Sequence, residues 1–365
     1  MNLNTNLSLK DLTGQMIITG FDGICLNSEL EELIVNSRIG GLILFERNFK
    51  DPEQLIRLIS DLQSLAVSCP AAAPLFISVD QEGGRVARLK DPFSDFPQPS
   101  CLGQAQSESL AHRFGLALGQ EMQAVGINMV YAPVLDVNTN PANPIIGTRA
   151  LSDIPELAGR IGKAVIDGIQ EAGVFPVGKH FPGHGDTDRD SHLELPYVNR
   201  DADSLEKVEL EPFAQTVSHG LKVIMTAHVI YSAWDDKLPA TFSPIILKSI
   251  LREKLGFDGL IITDDLEMKA VEKHIPFESI PRLGSIAGVD LYLICHDRKK
   301  TLSLQNQMIQ DIEMGQIDKK LIELSAQRII DFKKQIPSTF HEKENLSDLA
   351  RDHIVLIREM KSHLP

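Results

Sequence analysis

The sequence lacks both an excess of basic residues and a long apolar run. Its 365 residues contain 36 Lys and Arg against 50 Asp and Glu, which gives a formal net charge of -14. Proteins that bind nucleic acids need a basic face, so this charge argues against nucleic acid as a partner. No stretch reaches the roughly 18 apolar residues of a membrane helix, and the opening MNLNTNLSLKDL does not resemble a signal peptide. We therefore expect a protein that is not exported and has no membrane partner.

Cysteine is also sparse. The four cysteines, Cys25, Cys69, Cys101 and Cys295, are scattered singly along the chain. A zinc site would show close pairs of cysteines and a disulfide scaffold would show a higher density, so neither class is expected. We expect four reduced thiols, most of them buried.

The chain does contain regularly recurring short apolar runs, separated by intervals too long for β-hairpins. Such intervals are typical of strand–helix–strand units with a parallel sheet. We interpret eight runs as buried strands: residues 15–20, 39–45, 75–80, 127–133, 174–179, 221–228, 260–265 and 289–294. No Gly-x-Gly-x-x-Gly follows any of them, which argues against an open dinucleotide-binding sheet. The pattern predicts an α/β fold, a single-domain (β/α)8 TIM-type barrel.

Two helix starts support this alternation. Asp51 precedes Pro52, and Ser243 precedes Pro244, each an N-cap residue followed by a proline suited to a first helical turn. We assign the barrel to residues 10–335. The remaining residues, 336–365, contain the helix-like pattern LSDLARDHIVLIREMK and are expected to form a C-terminal helical extension.

Polar residues cluster where the predicted strands end. In a barrel enzyme the loops after the strands build the active face, so such residues are candidates for chemistry. At or shortly after five of the eight strands lie Asp80, Asp136, Lys179 with His180, His228, and Asp264 with Asp265. Five strands that end this way indicate an active site at one end of the barrel.

The segment VDQEGGRVARL, residues 79–89, places Asp80 at a strand end and Arg85 and Arg88 just after two glycines. A carboxylate and a guanidinium supply the two hydrogen-bond polarities that neighbouring sugar hydroxyls require. The alternative is an internal ion pair that supports the loop. Arg149 follows the fourth strand and is either a further contact or an ordinary surface arginine.

The segment KHFPGHGDTDRDSHLELP, residues 179–196, is the densest polar stretch. Its glycines and prolines predict a loop. Asp190 and His192 flank one serine, a spacing that lets the carboxylate hold one imidazole nitrogen while the other faces a substrate, as acid/base catalysis requires. The alternative is a metal site, which would add His184, Asp186 and Asp188 as ligands. The cations expected nearby would repel a divalent ion, so we predict no metal.

Opposite this loop, Asp264 is a candidate nucleophile at a strand end. Because side chains alternate along a strand, only one of Asp264 and Asp265 can face the barrel axis, and the spacing does not choose between them. Glycosidases usually pair two carboxylates, so a histidine acid would depart from that scheme.

Six segments resemble, in order, the β-N-acetylhexosaminidases of glycoside hydrolase family 3 of the NagZ type. They are GGLILFERN, VDQEGGRVARL, APVLDVN, KHFPGHGDTDRDSH, MTAHVIY and ITDDLEM. The resemblance implies a (β/α)8 barrel and a retaining enzyme that needs no cofactor or metal. Such an enzyme would remove terminal N-acetylglucosamine from muropeptides or chitooligosaccharides in the cytoplasm, during peptidoglycan recycling.

The resemblance also implies roles for individual residues. Asp264 would be the nucleophile in preference to Asp265, His192 the acid/base, and Asp190 its orienting partner. The sugar hydroxyls would be held by Asp80, Arg88, Arg149, Lys179 and His180. Three alternatives stay open: an N-acetylglucosaminide phosphorylase, a metal-dependent hydrolase that uses the His/Asp loop, and a sugar-binding protein without catalysis. The oligomeric state is not predicted.

Overall fold

A computed structural model describes residues 7–69, 73–187, 195–336 and 346–364. The predicted acid/base pair, Asp190 and His192, lies outside the described residues.

Short strands recur along the described chain. They are β1 (Ile17–Thr19), β2 (Gly41–Leu44), β3 (Phe76–Val79), β4 (Gln81–Gly83), β5 (Val86–Ala87), β6 (Met129–Val130), β7 (Phe175–Pro176), β8 (Gly178–Phe181), β9 (Tyr197–Val198), β10 (Val223–Thr226), β11 (Ile230–Tyr231), β12 (Leu260–Ile262) and β13 (Tyr292–Ile294).

Helices alternate with these strands. The α-helices are α1 (Leu9–Gln15), α2 (Ser28–Glu31), α3 (Pro52–Val67), α4 (Ser100–Ala105), α5 (Glu108–Ala124), α6 (Pro155–Glu171), α7 (Ala202–Lys207), α8 (Glu211–Ser218), α9 (Lys269–Glu272), α10 (Ile280–Ala287), α11 (Arg298–Glu313), α12 (Lys319–Lys333), α13 (Leu346–Asp352) and α14 (Ile354–Lys361). Short 3-10 helices span Glu46–Asn48, Gly147–Arg149, Ala240–Phe242 and Phe277–Ser279, and π-helical segments span Glu32–Asn36 and Ile245–Lys254.

The main strands pair in parallel in two sheets. One has the order β13-β1-β2-β3-β6-β7, and the other has the order β12-β10-β8. Isolated parallel bridges join Ile262 to Leu291 and Val134 to Lys179, at positions between the two sheets. All residues of β2, β3, β8 and β10 are buried, as parallel strands covered on both faces require. The α/β architecture is consistent with a TIM-like barrel.

Each of the eight apolar runs contains at least one strand of these two sheets. The fifth run differs in its end: it forms β7 and β8, and β8 continues to Phe181. Lys179 and His180 therefore lie inside the last strand of that run and not at its end. Small additional strands that the apolar pattern does not predict lie in the loops, where β4 pairs with β5 and β9 pairs with β11.

Both predicted helix starts are present. The Asp51 carboxylate accepts a hydrogen bond of 2.7 Å from the backbone N–H of Gln54 and caps α3, with Pro52 in the first turn. The Ser243 hydroxyl accepts from the N–H of Ile246 at 3.3 Å, but the helix that follows has π-type hydrogen bonding.

The predicted C-terminal helix is divided in two at His353. Both parts, α13 and α14, pack on α5, and α14 also contacts α4. Arg113 of α5 binds both carboxylate oxygens of Glu359 at 2.9 and 2.7 Å. These contacts attach the last described residues to α4 and α5.

The described cysteines are all free thiols. Cys101 and Cys295 are buried, Cys69 is partly buried and Cys25 is exposed. Within the described ranges, every helix is too short or too polar to cross a membrane.

A buried lysine lies at the amino ends of the first strands. The ammonium group of Lys333 donates to Gln15 Oε1 at 2.7 Å and to the Gly40 carbonyl at 2.6 Å, and it lies 5.0 Å from the centre of the Phe76 ring. Burial lowers the pKa of Lys333 to about 7.

This lysine makes stability depend on pH. In the unfolded chain a lysine titrates near about 10.4, so between about pH 7 and pH 10 the unfolded chain binds more protons and the folded state gains stability as pH rises. We expect the melting temperature of the wild type, relative to that of Lys333→Met, to rise between pH 7 and pH 9.5 in scanning calorimetry. Parallel curves for the two proteins would show that Lys333 stays charged in the fold.

Candidate active site

Six of the predicted site residues line one cavity of about 270 Å³: Asp80, Arg88, Arg149, Lys179, His180 and Asp264. Asp80 directly follows β3, Lys179 and His180 belong to β8, and Asp264 follows β12 by two residues. The carboxyl ends of parallel strands lie on the same side of a sheet, which explains why residues so distant in sequence meet. His184, Tyr131, Phe45 and Cys295 also line the cavity.

A chain of buried ion pairs forms one wall. The Lys179 ammonium lies 2.7 Å from Asp80 Oδ1 and 2.6 Å from Glu82 Oε1. Arg149 donates to both oxygens of Glu82 through Nε and Nη2, each at 2.8 Å. Charged pairs of this geometry are strong, and each buried charge here has a partner of opposite sign.

Glu82 is the central counterion of this wall. Burial alone would raise its pKa, but the charges of Arg149 and Lys179 outweigh burial and hold the pKa of Glu82 well below its usual range. In turn, Glu82 and other nearby carboxylates raise the pKa of Arg149 despite its burial. Glu82 is therefore a carboxylate at every physiological pH.

The sequence interpretation missed Glu82. Asp80 and Glu82 are two residues apart on an extended segment, a spacing that places two side chains on the same side, but the sequence does not show that Glu82 is buried. The structure places Asp80 among the cavity-lining residues, whereas Glu82 lies behind them with only 1% of its side chain exposed.

Two arginines of the same segment have different surroundings. Arg88 lines the cavity, its side chain is 40% exposed, and its ion pair with Asp80 is long at 4.0 Å. Its Nε atom is buried and has no hydrogen-bond partner among the described residues. Arg85 instead donates to backbone carbonyls of Pro144 and Ile145 and so fastens the loop that carries Arg149. Arg88 therefore has a partly exposed side chain at the cavity and one N–H group without a partner among the described residues.

His180 is oriented by a buried carboxylate. Asp136 Oδ2 lies 2.7 Å from His180 Nδ1, and Asp136 Oδ1 accepts the backbone N–H groups of His180 at 3.0 Å and of His184 at 2.7 Å. Burial opposes ionisation of Asp136, but its histidine neighbours lower the pKa of Asp136 overall. A carboxylate at one ring nitrogen fixes the tautomer and leaves the other nitrogen for a ligand.

His184 has a different character. Burial, together with the nearby His180, lowers the pKa of His184 to about 4. Its Nδ1 atom lies 2.9 Å from the Thr187 hydroxyl. The imidazole is therefore neutral near pH 7. No group of three or more His, Cys, Asp or Glu side chains in the described part of the chain is arranged to hold a metal ion.

The structure distinguishes the two neighbouring aspartates. Burial favours the neutral form of Asp264, but His180 and His228 favour the carboxylate more strongly, and Lys179 adds to their effect. The pKa of Asp264 is consequently below its usual value. Asp265 behaves in the opposite way, since burial raises the pKa of its carboxyl to about 7.

Their hydrogen bonds differ as well. Asp265 Oδ1 accepts the backbone N–H groups of Glu267 at 3.1 Å and Cys295 at 3.2 Å. Asp264 Oδ1 accepts only a local bond from the N–H of Asp265 at 2.8 Å among the hydrogen bonds described for its side chain. Asp265 is thus engaged in holding its loop, and Asp264 has the ionised, less engaged carboxylate suited to act as a base or nucleophile.

Residues 8–332 match the model of the glycosyl hydrolase family 3 N-terminal domain. The beta-hexosaminidase of Alkalilimnicola ehrlichii is 37% identical over 321 residues, which cover 86% of this chain and 90% of that protein.

Two solved structures extend the comparison. A family 3 beta-N-acetylglucosaminidase from Paenibacillus sp. str. FPU-7 superposes with a TM-score of 0.92 at 36% identity, covering 98% of this chain and 69% of that one. Native NagZ from Neisseria gonorrhoeae superposes with a TM-score of 0.77 at 30% identity, covering 95% of this chain and 96% of that one. The chain thus belongs to glycosyl hydrolase family 3 and is a glycoside hydrolase similar to NagZ.

Proposed function

We propose that this protein is a retaining exo-β-N-acetylglucosaminidase, which hydrolyses terminal non-reducing N-acetylglucosamine through a covalent glycosyl-enzyme. The observation that carries the proposal is the ionised carboxylate of Asp264 in a cavity lined by both cations and carboxylates. The likeness to a beta-hexosaminidase and to a beta-N-acetylglucosaminidase supports the substrate class.

In the first step, Asp264 attacks the anomeric carbon while His192 protonates the departing glycosidic oxygen. The carbon–oxygen bond to the leaving group breaks as the bond to the carboxylate forms. In the second step, His192 removes a proton from water, which attacks the same carbon and releases Asp264. Asp190 orients His192 throughout. The roles of Asp190 and His192 rest on the DSH segment alone.

The sugar hydroxyls are held by Asp80, Arg88, Arg149, Lys179 and His180. Arg88 supports this assignment best, because its guanidinium is partly exposed in the cavity and incompletely hydrogen-bonded. Lys179 and Arg149 are already bound to carboxylates, which fixes their positions before a ligand arrives. Such preorganisation lowers the cost of ordering the site on binding.

The natural substrates in this proposal are muropeptides, with chitooligosaccharides as the second candidates, and the setting is peptidoglycan recycling in the cytoplasm. This part of the proposal is supported by the resemblance to NagZ. The enzyme uses no cofactor or metal in this account.

We also propose that the two sheets close into a (β/α)8 barrel over residues 10–335. The isolated bridges support closure, because Ile262–Leu291 joins the edge at β12 to the edge at β13, and Val134–Lys179 joins β8 to the segment after β6. Residues 336–365 are then a C-terminal extension, and its described helices α13 and α14 pack on α5.

The function is tested by release of p-nitrophenol from p-nitrophenyl N-acetyl-β-glucosaminide. We expect turnover that EDTA does not reduce and that phosphate does not accelerate. Loss of activity with EDTA would replace the proposal by a metal-dependent hydrolase. Acceleration by phosphate with a sugar 1-phosphate product would indicate a phosphorylase, and binding of N-acetylglucosamine without turnover would indicate a binding protein.

A further inference from the structure

A buried glutamate without a partner lies beneath the start of the loop that follows β8. Glu209, between α7 and α8, is fully buried, and neither of its carboxyl oxygens has a hydrogen-bond partner among the described residues. A buried carboxyl group in this condition is costly, and more so when it is ionised.

The carboxyl group touches the backbone of Gly183. Gly183 has a φ of 139°, and a Cβ atom at this position would come within 2.4 Å of Glu209 Oε2. Glycine is thus required both by the backbone conformation and by the close approach of Glu209. The Gly183 carbonyl also accepts a hydrogen bond from the Tyr231 hydroxyl.

Among the described residues, the charged and titratable groups around Glu209 come from four parts of the chain. They are Asp136 after β6, Asp186 in the loop itself, Arg200 before α7, and the Tyr231 phenol of β11. Burial and the two aspartates raise the pKa of Glu209 to about 8, and Arg200 opposes them only in part. Burial also raises the pKa of Tyr231, so the phenol stays neutral.

Two of these neighbours take part in other contacts, and one of the two, Asp136, belongs to the site already described. Asp186 binds Arg200, whose Nε lies 2.6 Å from Asp186 Oδ2, and this ion pair joins the beginning of the loop to the segment after it. Asp136 holds His180 and the backbone of His184. A negative charge on Glu209 would repel both aspartates and attract Arg200 away from Asp186.

We propose that Glu209 is a positioning residue of this enzyme, which holds the base of the loop, Gly183–Asp186 with Arg200, in its working arrangement only while it carries a proton. When the proton is lost, the new charge disturbs the Asp186–Arg200 pair and the Asp136–His180 pair together. Because His180 lines the cavity and is held by Asp136, the effect is a loss of turnover at alkaline pH. This inference rests on the proposed function for its kinetic part.

The test compares the wild type with Glu209→Gln, which keeps the shape of the side chain and cannot ionise. We measure kcat/KM on p-nitrophenyl N-acetyl-β-glucosaminide from pH 5 to pH 10. Near pH 6.5 we expect the two proteins to agree within about threefold, because a neutral acid and an amide are similar in shape and charge. Above about pH 8 the wild type should lose activity up to about tenfold per pH unit, and the variant should lose it at least about one unit later. Identical alkaline limbs would overturn the proposal.

A second readout does not depend on activity. Trp234 is the only tryptophan of the 365 residues, and its ring lies 5.7 Å from that of Tyr231, which binds Gly183. We expect the fluorescence of Trp234 to change between pH 7 and pH 9.5 in the wild type and to stay constant in Glu209→Gln. If the wild type shows this change but hydrolyses no glucosaminide, the proposed function fails and the titration of Glu209 stands.

The remaining outcomes are also decisive. A fluorescence change without a difference in the alkaline limbs would mean that Glu209 titrates but does not position the loop. No difference in either readout would mean that Glu209 does not titrate in this range. If Glu209→Gln does not fold, Glu209→Leu, which places an apolar side chain in the same space, serves both measurements.

Discussion

Replacement of Asp264 with asparagine is expected to lower kcat on p-nitrophenyl N-acetyl-β-glucosaminide by about 10³- to 10⁵-fold, because an amide cannot form the covalent intermediate. The fold should be unaffected, since the asparagine oxygen still accepts the N–H of Asp265 that Asp264 Oδ1 accepts at 2.8 Å. The measurement is steady-state turnover, with the melting temperature as a check of folding. Asp264→Asn with near wild-type kcat would remove Asp264 from the reaction.

Asp265→Asn is the matched control. The two aspartates are adjacent, but Asp265 accepts the N–H groups of Glu267 and Cys295 and is partly protonated near neutral pH because its pKa is about 7. Asparagine can accept the same bonds, so we expect kcat to fall less than about tenfold. A greater loss in Asp265→Asn than in Asp264→Asn would exchange the two roles.

Glu82→Gln is expected to lower the free energy of unfolding by about 3–5 kcal/mol. The reason is that the buried charges of Lys179 and Arg149 would lose the carboxylate with which both of them pair. For a chain of this length the melting temperature should fall by roughly 4–7 °C. KM should rise as well, since the positions of Lys179 and Arg149 depend on Glu82. Scanning calorimetry and Michaelis–Menten kinetics measure the two effects.

The pH dependence of this loss has a defined sign. The pKa of Glu82 is lowered in the fold, so its contribution is complete above the unfolded value of about 4.3 and is lost only as pH falls towards the folded value. The difference in the free energy of unfolding between wild type and Glu82→Gln should therefore be constant from pH 5 to pH 8.

Glu108→Gln is the control. The ion pair of Glu108 with Arg160 is exposed and 3.3 Å long, and its loss should cost less than about 1 kcal/mol. An equal loss of stability in Glu82→Gln and Glu108→Gln would show that the buried ion pairs of Glu82 stabilise the fold no more than an exposed pair does.

The sequence was sufficient to predict that the site residues lie together. It was not sufficient to predict which of them pair through hydrogen bonds. Asp80, Lys179 and Asp264 could be placed together because parallel strands present their carboxyl ends on one side. The pairing of His180 with Asp136 joins residues 44 positions apart in sequence, and no local pattern marks it. A fold-level rule therefore predicts the location of the site but not its hydrogen bonds.

The sequence also does not decide between Asp264 and Asp265 as the nucleophile. Alternation along a strand says that the two differ but not which one faces the cavity. Both of them line it in the structure, and they differ in protonation and in hydrogen bonds to Glu267 and Cys295. Those bonds depend on how two loops meet, which only the three-dimensional arrangement supplies.

Glu82 and Glu209 were missed for a different reason. Glu82 lies in VDQEGGRVARL, where we considered Asp80, Arg85 and Arg88, and Glu209 lies in a stretch for which no motif was recognised. Their importance comes from burial, complete or nearly so in both, and burial of a charged residue type is not visible in the sequence.

The central claim is that Asp264 forms a covalent bond to the sugar. The most direct measurement is mass spectrometry of the intact protein and of its peptides after reaction with a 5-fluoro-N-acetylglucosaminyl fluoride, whose glycosyl-enzyme breaks down slowly. The account predicts a mass increase of one fluorinated sugar on the peptide that contains Asp264, and no increase in Asp264→Asn. Turnover of the chromogenic substrate without any adduct, or an adduct on a peptide that lacks Asp264, would contradict it.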